Sequence, residues 1–354
     1  MMQYVKRFFI SLFLGANVVT VLLLWLCCAF TWLSPAQFSK LSVITLVFPA
    51  FLLANLFFFV FWLLFKARFV LLPLLGMLAV WGYVMDYCPV QRVESTPEDS
   101  SLFVVSYNMG QIIGEEKHTE FIRYVKQTDA DVWCMQEVDP SLLSRKIFKQ
   151  MVDSMDYKLL QEGNRCVMTR IPVVGDVKTL LYETKHGNGT MICSLLYRGD
   201  TLLVLNNHLE SYALTDEERS GYKNVLKSPT SEGVSGTGMT LARRISEGTR
   251  VRGVQADSLC AFLDRNAAKD VIVCGDFNDT PISYTYQQIA NRLQCAWRES
   301  GCGVGLSYNQ VGFFVRIDHL FHSPGWESHG TRIDDENTLS DHYPLLSFLR
   351  KTSN

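Results

Sequence analysis

Six short polar motifs occur in order between residues 106 and 342 of this chain. They are Ser106-Tyr107-Asn108, Gln136-Glu137-Val138, Asn207-His208-Leu209, Gly275-Asp276-Phe277-Asn278, Ile317-Asp318-His319 and Ser340-Asp341-His342. Their side chains carry amides, carboxylates and imidazoles, the groups that bind a hard divalent cation and move protons. If they converge in one place, they supply what the hydrolysis of a phosphoester requires.

Runs of apolar and β-branched residues directly precede several of these motifs. The runs cover residues 102–105, 132–135, 202–205 and 271–274. Unbroken apolar runs of this length are typical of strands that are buried on both faces. Because the end of a rigid strand is open to water, it is a common place for chemistry. We therefore expect the polar residues to meet at one edge of a sheet.

The order and wording of the motifs resemble those of the endonuclease/exonuclease/phosphatase superfamily. That superfamily includes DNase I-like nucleases, abasic-site endonucleases, inositol polyphosphate 5-phosphatases and neutral sphingomyelinases. The resemblance covers residues 101–350, and it is specific because the whole set of motifs occurs in the family's order. It implies a fold of the α/β (α+β) class, a four-layer α/β/β/α sandwich in which two mixed β-sheets pack together with helices outside.

The resemblance also implies a metal site, with Mg²⁺ as the expected ion and Mn²⁺ as the alternative. Glu137 is its first predicted ligand, since a carboxylate at a strand end can coordinate Mg²⁺ and leave positions for water and substrate. Asn108 is predicted to face the metal or donate to a phosphate oxygen; the alternative is an ordinary turn-forming asparagine. Asp341 would complete the metal site.

Asp276 and Asn278 form the predicted centre of water activation. They flank Phe277, so their side chains point the same way if the backbone there is extended. The resemblance implies that Asp276 aligns or deprotonates the attacking water and that Asn278 binds the phosphate and stabilises developing charge. The alternative for this pair is an Asx-type turn between a strand and a helix.

Two histidines complete the predicted catalytic set. Asp318 and His342 are expected to pair, because a carboxylate beside an imidazole fixes its tautomer and raises its pKa. His208 fits the family's role of protonating the leaving oxygen or binding the phosphate, and a structural histidine is the alternative. We expect the partner that orients His208 on the hairpins between residues 160 and 195.

Arg252 is a candidate substrate contact on a helix predicted over residues 250–266. Several arginines lie nearby, and their alternative interpretation is a solvated helix face. Residues 228–239 precede this helix and are rich in Ser, Gly and Thr. That composition predicts a loop.

The first 85 residues differ sharply from the rest, because they carry five charges and no acidic residue. Three uncharged stretches cover residues 8–32, 42–64 and 69–84. The first two exceed the roughly 20 residues that span a bilayer, and the third is shorter. We predict three transmembrane helices; the alternatives are two spans with an interfacial segment, or a cleaved signal peptide, for which the first stretch is too long.

These features divide the chain into a membrane anchor (1–85), a tether (86–100) and a catalytic domain (101–350). Lys6, Arg7, Lys66 and Arg68 lie at one set of span ends, against Lys40 at the other. The positive-inside rule then places the N-terminus in the cytoplasm of a multi-pass inner-membrane protein, and three crossings make the catalytic domain extracytoplasmic. If the third segment does not cross, the domain is cytoplasmic. The ten cysteines favour that second outcome mildly, since export favours disulfides.

The charge balance bears on the substrate. A protein that grips duplex DNA usually has a basic face, whereas this chain has a net charge of -2. A lipid headgroup or a small phosphoester, bound beside the bilayer, is therefore favoured over nucleic acid. An extracytoplasmic nuclease is the first alternative, and a catalytically inert binding protein with the same fold is the second. The oligomeric state is left open.

Overall fold

A computed structural model describes residues 2–90, 101–180, 184, 188–212, 218, 220, 231–310 and 313–352. The apolar N-terminal segment is helical, as its composition predicts. Its helices are α1 (Met2–Phe30), α2 (Pro35–Ser42), α3 (Phe48–Phe65), α4 (Leu71–Leu78) and α5 (Trp81–Tyr87). Helices α1, α3 and α4 pack against one another.

Two six-stranded mixed sheets form the centre of the rest of the described chain. The first has the order β13-β14-β1-β2-β4-β3 and the second the order β5-β6-β7-β8-β12-β9. The strands of the first sheet are β1 (Leu102–Asn108), β2 (Val132–Gln136), β3 (Lys158–Glu162), β4 (Arg165–Thr169), β13 (Trp326–Ile333) and β14 (Leu345–Lys351). Those of the second are β5 (Lys178–Leu180), β6 (Gly189–Tyr197), β7 (Asp200–His208), β8 (Asp270–Asp276), β9 (Gln294–Cys295) and β12 (Asp318–His322).

Helices and one small ribbon surround these sheets. The helices are α6 (Glu115–Thr128), α7 (Pro140–Ser144), α8 (Lys146–Ser154), α9 (Ser231–Arg265), α10 (Tyr284–Ala290) and α11 (Ala296–Ser300), and the ribbon pairs β10 (Tyr308–Gln310) with β11 (Phe313–Val315). Two packed mixed sheets with helices outside are the predicted α/β/β/α sandwich. The predicted fold class is confirmed.

Strand β1 shows why the apolar runs are continuous. Leu102 and Val104 point into the core between the two sheets, whereas Val105 and Tyr107 pack against the helix side with Phe121. Successive side chains of a strand alternate between its faces. Since both faces of this strand are covered, both sets of positions must be apolar until the strand reaches its end.

The sheet register aligns the ends of the strands that carry the motifs. Parallel strands β1 and β2 place Asn108 opposite Gln136. Parallel strands β7 and β8 place His208 opposite Asp276, and antiparallel β12 places Asp318 on the other side of Asp276. The polar residues therefore end neighbouring strands at one edge, as the sequence predicts.

Gly275 permits this alignment. Its φ is +132°, and a Cβ atom there would lie 2.0 Å from the carbonyl oxygen of Asn207 on the neighbouring strand. Only glycine adopts this conformation readily and allows such an approach. The glycine thus lets β7 and β8 stay in register up to His208 and Asp276.

The loop prediction for residues 228–239 is wrong from residue 231 onward, where helix α9 begins; residues 228–230 lie outside the described part. Gly costs a helix only about 1 kcal/mol relative to Ala, and Ser less. Further along the same helix, Ala256, Leu259 and Leu263 are buried. This packing stabilises a helix whose first turns have weak intrinsic propensity.

The prediction of three transmembrane helices is confirmed for two of them by length and composition. Two segments, Tyr4–Phe30 and Pro35–Phe65, are long and apolar enough to cross a membrane. The third predicted stretch is broken, because Ala67–Leu78 and Trp81–Tyr87 are bent by 67° relative to each other. After the bend at residues 79–80, α5 contacts the two-sheet part of the chain.

Residues 86–90, predicted as the start of a tether, pack on the two-sheet part of the chain instead. Asp86 is 3% exposed, and its carboxylate accepts hydrogen bonds from Gln287 at 2.9 Å and Arg298 at 2.8 Å. The carbonyl of Pro89 accepts a hydrogen bond from Gly303 at 2.8 Å. Residues 91–100 lie outside the described residues. The sequence gave no sign that the partners of Asp86 lie some 200 positions away.

Candidate active site

Asn108 connects the two sheets at the edge where the polar residues meet. Its side-chain amide donates hydrogen bonds to Asp276 Oδ2 at 2.9 Å and to Glu137 Oε1 at 3.2 Å. Its oxygen accepts a hydrogen bond from the backbone N–H of Gly110 at 3.0 Å. Because the side chain is bonded on both sides, it fixes the distance between two carboxylates that come from different sheets.

Glu137 is the most open carboxylate of the site. Its side chain is 42% exposed, and its backbone has a φ of 52°, in the left-handed region that non-glycine residues rarely adopt. Partial burial would raise the pKa of Glu137, but the hydrogen bond and charge of His208, together with the Asn108 amide, lower it to about 2. An ionised, water-facing carboxylate held in a strained conformation is suited to binding a ligand.

Asp276 is buried at the centre of the site, with 1% of its surface exposed. Its Oδ1 accepts a hydrogen bond from the backbone N–H of Asn278 at 2.7 Å. Burial raises the pKa of Asp276, His342 opposes this rise and the charge of Asp318 adds to it, so that the pKa is about 6. A carboxylate whose pKa lies near neutrality is suited to accepting a proton from water.

The backbone at Asn278 is not extended, so that part of the prediction is wrong. Asn278 has a φ of 50°, and its N–H bonds the Asp276 side chain, which makes this segment an Asx-type turn. The Asn278 amide also donates to the carbonyl of Leu209 at 2.9 Å. Asp276 and Asn278, the residues predicted to be functional, therefore form this turn themselves. Through Asn278, the turn also connects the end of β8 to the segment that follows His208.

The predicted contact between Asp318 and His342 is present. His342 Nδ1 lies 2.8 Å from Asp318 Oδ2, and His342 Nε2 lies 3.7 Å from Asp276 Oδ2. Burial would lower the pKa of His342, but the charges of Asp318 and Asp276 raise it to about 10. The imidazole is therefore held as a cation between two carboxylates. Its catalytic role stays a prediction.

His208 faces Glu137, which the sequence did not indicate. Its Nε2 lies 3.3 Å from Glu137 Oε1 and 3.9 Å from Asp276 Oδ2. Nδ1 is buried and has no hydrogen-bond partner among the residues that the structure describes. The partner expected between residues 160 and 195 is not found in the described part of that range; residues 181–183 and 185–187 lie outside it.

Two groups of side chains are candidates for holding a cation. Ligand atoms of Asp276, Asp318 and His342 all lie within 4.8 Å of one another. In that group, His342 contacts Asp318 Oδ2 at 2.8 Å and lies 3.7 Å from Asp276 Oδ2, so its imidazole is already engaged with both carboxylates. Glu137, which is ionised, partly exposed and bonded to Asn108, offers the hard oxygen ligand that Mg²⁺ prefers. A cation at Glu137 stays a prediction.

Asp341 stays a predicted ligand. Its carboxylate contacts the Ser340 hydroxyl at 3.3 Å, and its backbone carbonyl accepts a hydrogen bond from Asn309 at 2.9 Å. Its charge also raises the pKa of His342, so it contributes to the negative potential of the site.

The geometry corrects the predicted role of Arg252. This side chain is 0% exposed, contacts the Asp279 carboxylate at 3.2 Å and donates to the Glu210 carbonyl at 2.7 Å. A third hydrogen bond, to Thr249, has a length of 3.0 Å. Arg252 therefore braces the segments that follow His208 and Asn278 and does not present its charge to a substrate.

Asn206 is a supporting residue that sequence reasoning missed. It is fully buried and accepts a hydrogen bond from Gln136 at 2.7 Å. Its amide donates to the carbonyls of Met135 and Cys166, both at 3.0 Å. This network joins the two sheets directly behind Glu137 and His208. The available signal was a polar side chain ending the apolar run at residues 202–205.

Comparisons with known proteins agree with this architecture. A family model described as the endonuclease/exonuclease/phosphatase family matches residues 105–342, and one described as a domain of unknown function matches residues 9–87. No curated protein matches the sequence.

Among solved structures, the chain is similar to a humanized D. rerio TDP2 carrying 14 mutations, with 15% identity, a TM-score of 0.51 and coverage of 72% of this chain and 100% of that one. It is also similar to the human Nocturnin catalytic domain with bound sulfate, with 16% identity, a TM-score of 0.51 and coverage of 73% and 97%. At these identities the likeness shows the fold alone.

Proposed function

This chain belongs to the endonuclease/exonuclease/phosphatase family, and we propose that it is a membrane-anchored, divalent-metal-dependent phosphoesterase. The proposed substrate is a phosphodiester or phosphomonoester, with a lipid headgroup or a small phosphoester favoured. The observation that carries the proposal is the convergence of Glu137, Asp276, His208 and His342 on one edge of the sandwich, with Asn108 bonded to two of them.

In the proposed mechanism, Asp276 aligns the attacking water and accepts its proton. Asn108 and the backbone N–H of Asn278 hold this carboxylate in one orientation, so little reorganisation is needed during the reaction. The imidazolium of His342, fixed by Asp318, stabilises negative charge on the phosphoryl oxygens. His208 protonates the leaving oxygen or binds the phosphate, and Asn278 contributes a further polar contact to it.

Glu137, Asn108 and Asp341 would hold Mg²⁺, or Mn²⁺ in its place, and the bound ion would counter charge on a phosphoryl oxygen.

The charge of the protein supports a small or lipid substrate, since a net charge of -2 gives little attraction for a long polyanion. The anchor supports it too, because α5 packs on the same domain that carries the site.

We also propose a multi-pass inner-membrane protein with an extracytoplasmic catalytic domain. Lys6 and Lys66 line one cavity of about 420 Å³. The N-terminal end of α1 and the C-terminal end of α3, each of which has a lysine, therefore lie close together. At the opposite end, Leu24 of α1 and Phe48 of α3 pack with Ile282 of the catalytic domain. If the lysines are cytoplasmic, the domain lies outside. A periplasm-active reporter fused after residue 90 should be active and a cytoplasm-active one inactive; the reverse would refute this topology.

A substrate screen tests the proposed activity. Purified full-length protein is assayed on a phosphodiester, a phosphomonoester, a phospholipid and DNA, with Mg²⁺ or with a chelator. We expect metal-dependent hydrolysis of a phospholipid or a small phosphoester that exceeds hydrolysis of DNA. Preference for DNA would favour the nuclease alternative, and no hydrolysis of any substrate by metal-loaded protein would favour the inert binding protein.

A further inference from the structure

The segment of residues 279–283, which directly follows Asn278, is held from several sides. The Asp279 carboxylate contacts Arg252 at 3.2 Å, and the Asp279 carbonyl accepts a hydrogen bond from His319 at 2.9 Å. Ile282 is 1% exposed. The position of Asn278, and through its N–H the orientation of the Asp276 carboxylate, therefore depends on contacts made by this segment.

The anchor supplies part of that support. Ile282 packs into a cluster of anchor residues, which are Leu24, Cys27, Cys28, Phe48 and Val80. A second contact involves α2, where the Ser39 hydroxyl accepts a hydrogen bond from the Ser246 hydroxyl of α9 at 2.9 Å. A Cβ atom at Gly253 of α9 would lie 3.1 Å from the Ala36 nitrogen, so α2 lies directly on this helix.

Gln287 joins the anchor to the segment through one nitrogen. Its Nε2 donates one hydrogen bond to Asp86 Oδ2 at 2.9 Å and another to the Pro281 carbonyl at 3.0 Å. An amide nitrogen carries two hydrogens, so both are used. Asp86 therefore fixes the rotation of the Gln287 amide that holds Pro281 in place.

Asp86 is itself held firmly. Arg298 donates to its Oδ1 at 2.8 Å, and the buried Arg316 donates to its backbone carbonyl. Because the carboxylate is buried and bonded at both oxygens, it has one orientation. A chain of direct bonds thus leads from α5 through Gln287 to the segment beside the catalytic residues.

We propose that Asp86, on helix α5 at the end of the membrane anchor, is a positioning residue for hydrolysis. It acts through Gln287 and residues 279–283 on Asn278 and Asp276. The expected change in the rate of hydrolysis rests on the proposed function. The coupling of Asp86 to residues 279–283 rests only on the contacts described above. Helix α5 therefore contributes to the structural support of the active site.

The test compares full-length wild type, Asp86→Ala, Gln287→Ala and the double variant in lipid nanodiscs. Displacement of a reacting group by about 1 Å can cost about 100-fold in rate, so we expect kcat to fall about 10- to 100-fold with little change in KM. The double variant should be little worse than either single one, because residues that act through each other are non-additive. Asp86→Asn keeps an oxygen that can accept from Gln287, so it should restore most of the rate.

Glu299→Ala is the matched control. Glu299 is the neighbour of Arg298 on α11, and its substitution removes a comparable contact, with His322 at 2.9 Å. Within the described part of the chain, no hydrogen bond connects this pair to residues 279–283. It should lower the melting temperature while kcat stays close to wild type. Unchanged kcat in Asp86→Ala, additive losses in the double variant, or equal loss of kcat in Glu299→Ala would each overturn the proposal.

Hydrogen exchange separates this proposal from the proposed function. Amides of residues 278–284 should exchange faster in Asp86→Ala than in wild type and not in Glu299→Ala. This readout needs no substrate, so a wild-type protein without phosphoesterase activity would refute the proposed function while exchange still decides the coupling. Unchanged protection of residues 278–284 in Asp86→Ala would overturn the coupling.

Discussion

Two groups of buried polar residues lie on either side of residues 279–283, and they are built differently. Where α5 contacts the two-sheet part of the chain, Asp86 Oδ2 accepts a hydrogen bond from Gln287, and Asp86 Oδ1 accepts one from Arg298. In the active site, by contrast, Asp318 Oδ1 is buried without a hydrogen-bond partner in the described part of the chain, and Glu137 opens to water.

This difference distinguishes residues that stabilise the structure from residues that take part in the reaction. Satisfied buried groups stabilise one arrangement, whereas crowded carboxylates with raised pKa values destabilise the fold and persist where chemistry needs them. The burial that raises the pKa of Asp276 is an example. We therefore expect substitutions in the active site to change the rate more than the stability. Substitutions of structural pairs that have no bonded path to residues 279–283, such as Glu299 and His322, should change the stability more than the rate.

The largest effect should come from Glu137→Ala. Loss of the open carboxylate removes the predicted metal ligand, so hydrolysis should fall by about 1,000-fold or more while the fold stays intact. Steady-state kinetics and a melting curve check this, with Glu116→Ala, an exposed glutamate on α6, as the control. Activity near that of wild type would remove Glu137 from the mechanism.

A somewhat smaller effect is expected for the Asp318–His342 pair. Asp318→Asn should lower kcat by about 100- to 10,000-fold, because the imidazole loses its orientation and charge. Since the two residues act as a unit, Asp318→Asn combined with His342→Ala should be little worse than His342→Ala alone. Kinetics of the three variants decide the matter, and fully additive losses would mean that the residues work separately.

We expect Arg252 to have a structural role, through its contacts with Asp279 and Glu210. Arg252→Gln leaves the Asp279 carboxylate buried without its cation, and breaking a buried pair costs about 3–5 kcal/mol. We expect a large fall in the free energy of unfolding and an unchanged KM in the folded fraction. Arg252→Lys, which keeps the charge, provides a milder variant. A raised KM without loss of stability would restore the substrate-binding role predicted from the sequence.

The smallest effect concerns the structural pair of Glu299 and His322. Burial would raise the pKa of Glu299, but the hydrogen bond and charge of His322 lower it. A carboxylate with a lowered folded pKa contributes stability above its unfolded pKa of about 4.3, and this contribution disappears as the pH falls through the folded value. Glu299→Gln should therefore lower the melting temperature at pH 7, by the equivalent of about 1 kcal/mol, and the difference should shrink on acidification. A difference that does not depend on pH would argue against an ionic contribution.

The sequence predicted most where local pattern determines structure. Apolar runs predicted β1, β2, β7 and β8, because strands covered on both faces require apolar residues at successive positions. The polar residues after those runs then met at one edge, since the register of neighbouring strands aligns their ends.

Contacts between distant segments were not predictable in this way. The pairing of His208 with Glu137 depends on how the two sheets pack, and no spacing in the chain encodes that packing. Asp86 read as part of a tether because its partners Gln287 and Arg298 are separated from it by more than half the chain. The start of α9 was missed because packing, and not the propensity of Ser and Gly, stabilises that helix.

The central claim is that a divalent cation binds on the Glu137 side of the site and serves hydrolysis there. Calorimetric titration of Mg²⁺ into full-length wild type, Glu137→Ala and Asp318→Asn tests it most directly. We predict that Glu137→Ala loses binding, whereas Asp318→Asn keeps an affinity within a few-fold of wild type, that is, within about 1 kcal/mol. Loss of binding in Asp318→Asn with binding retained in Glu137→Ala would contradict the claim and place the cation among Asp276, Asp318 and His342.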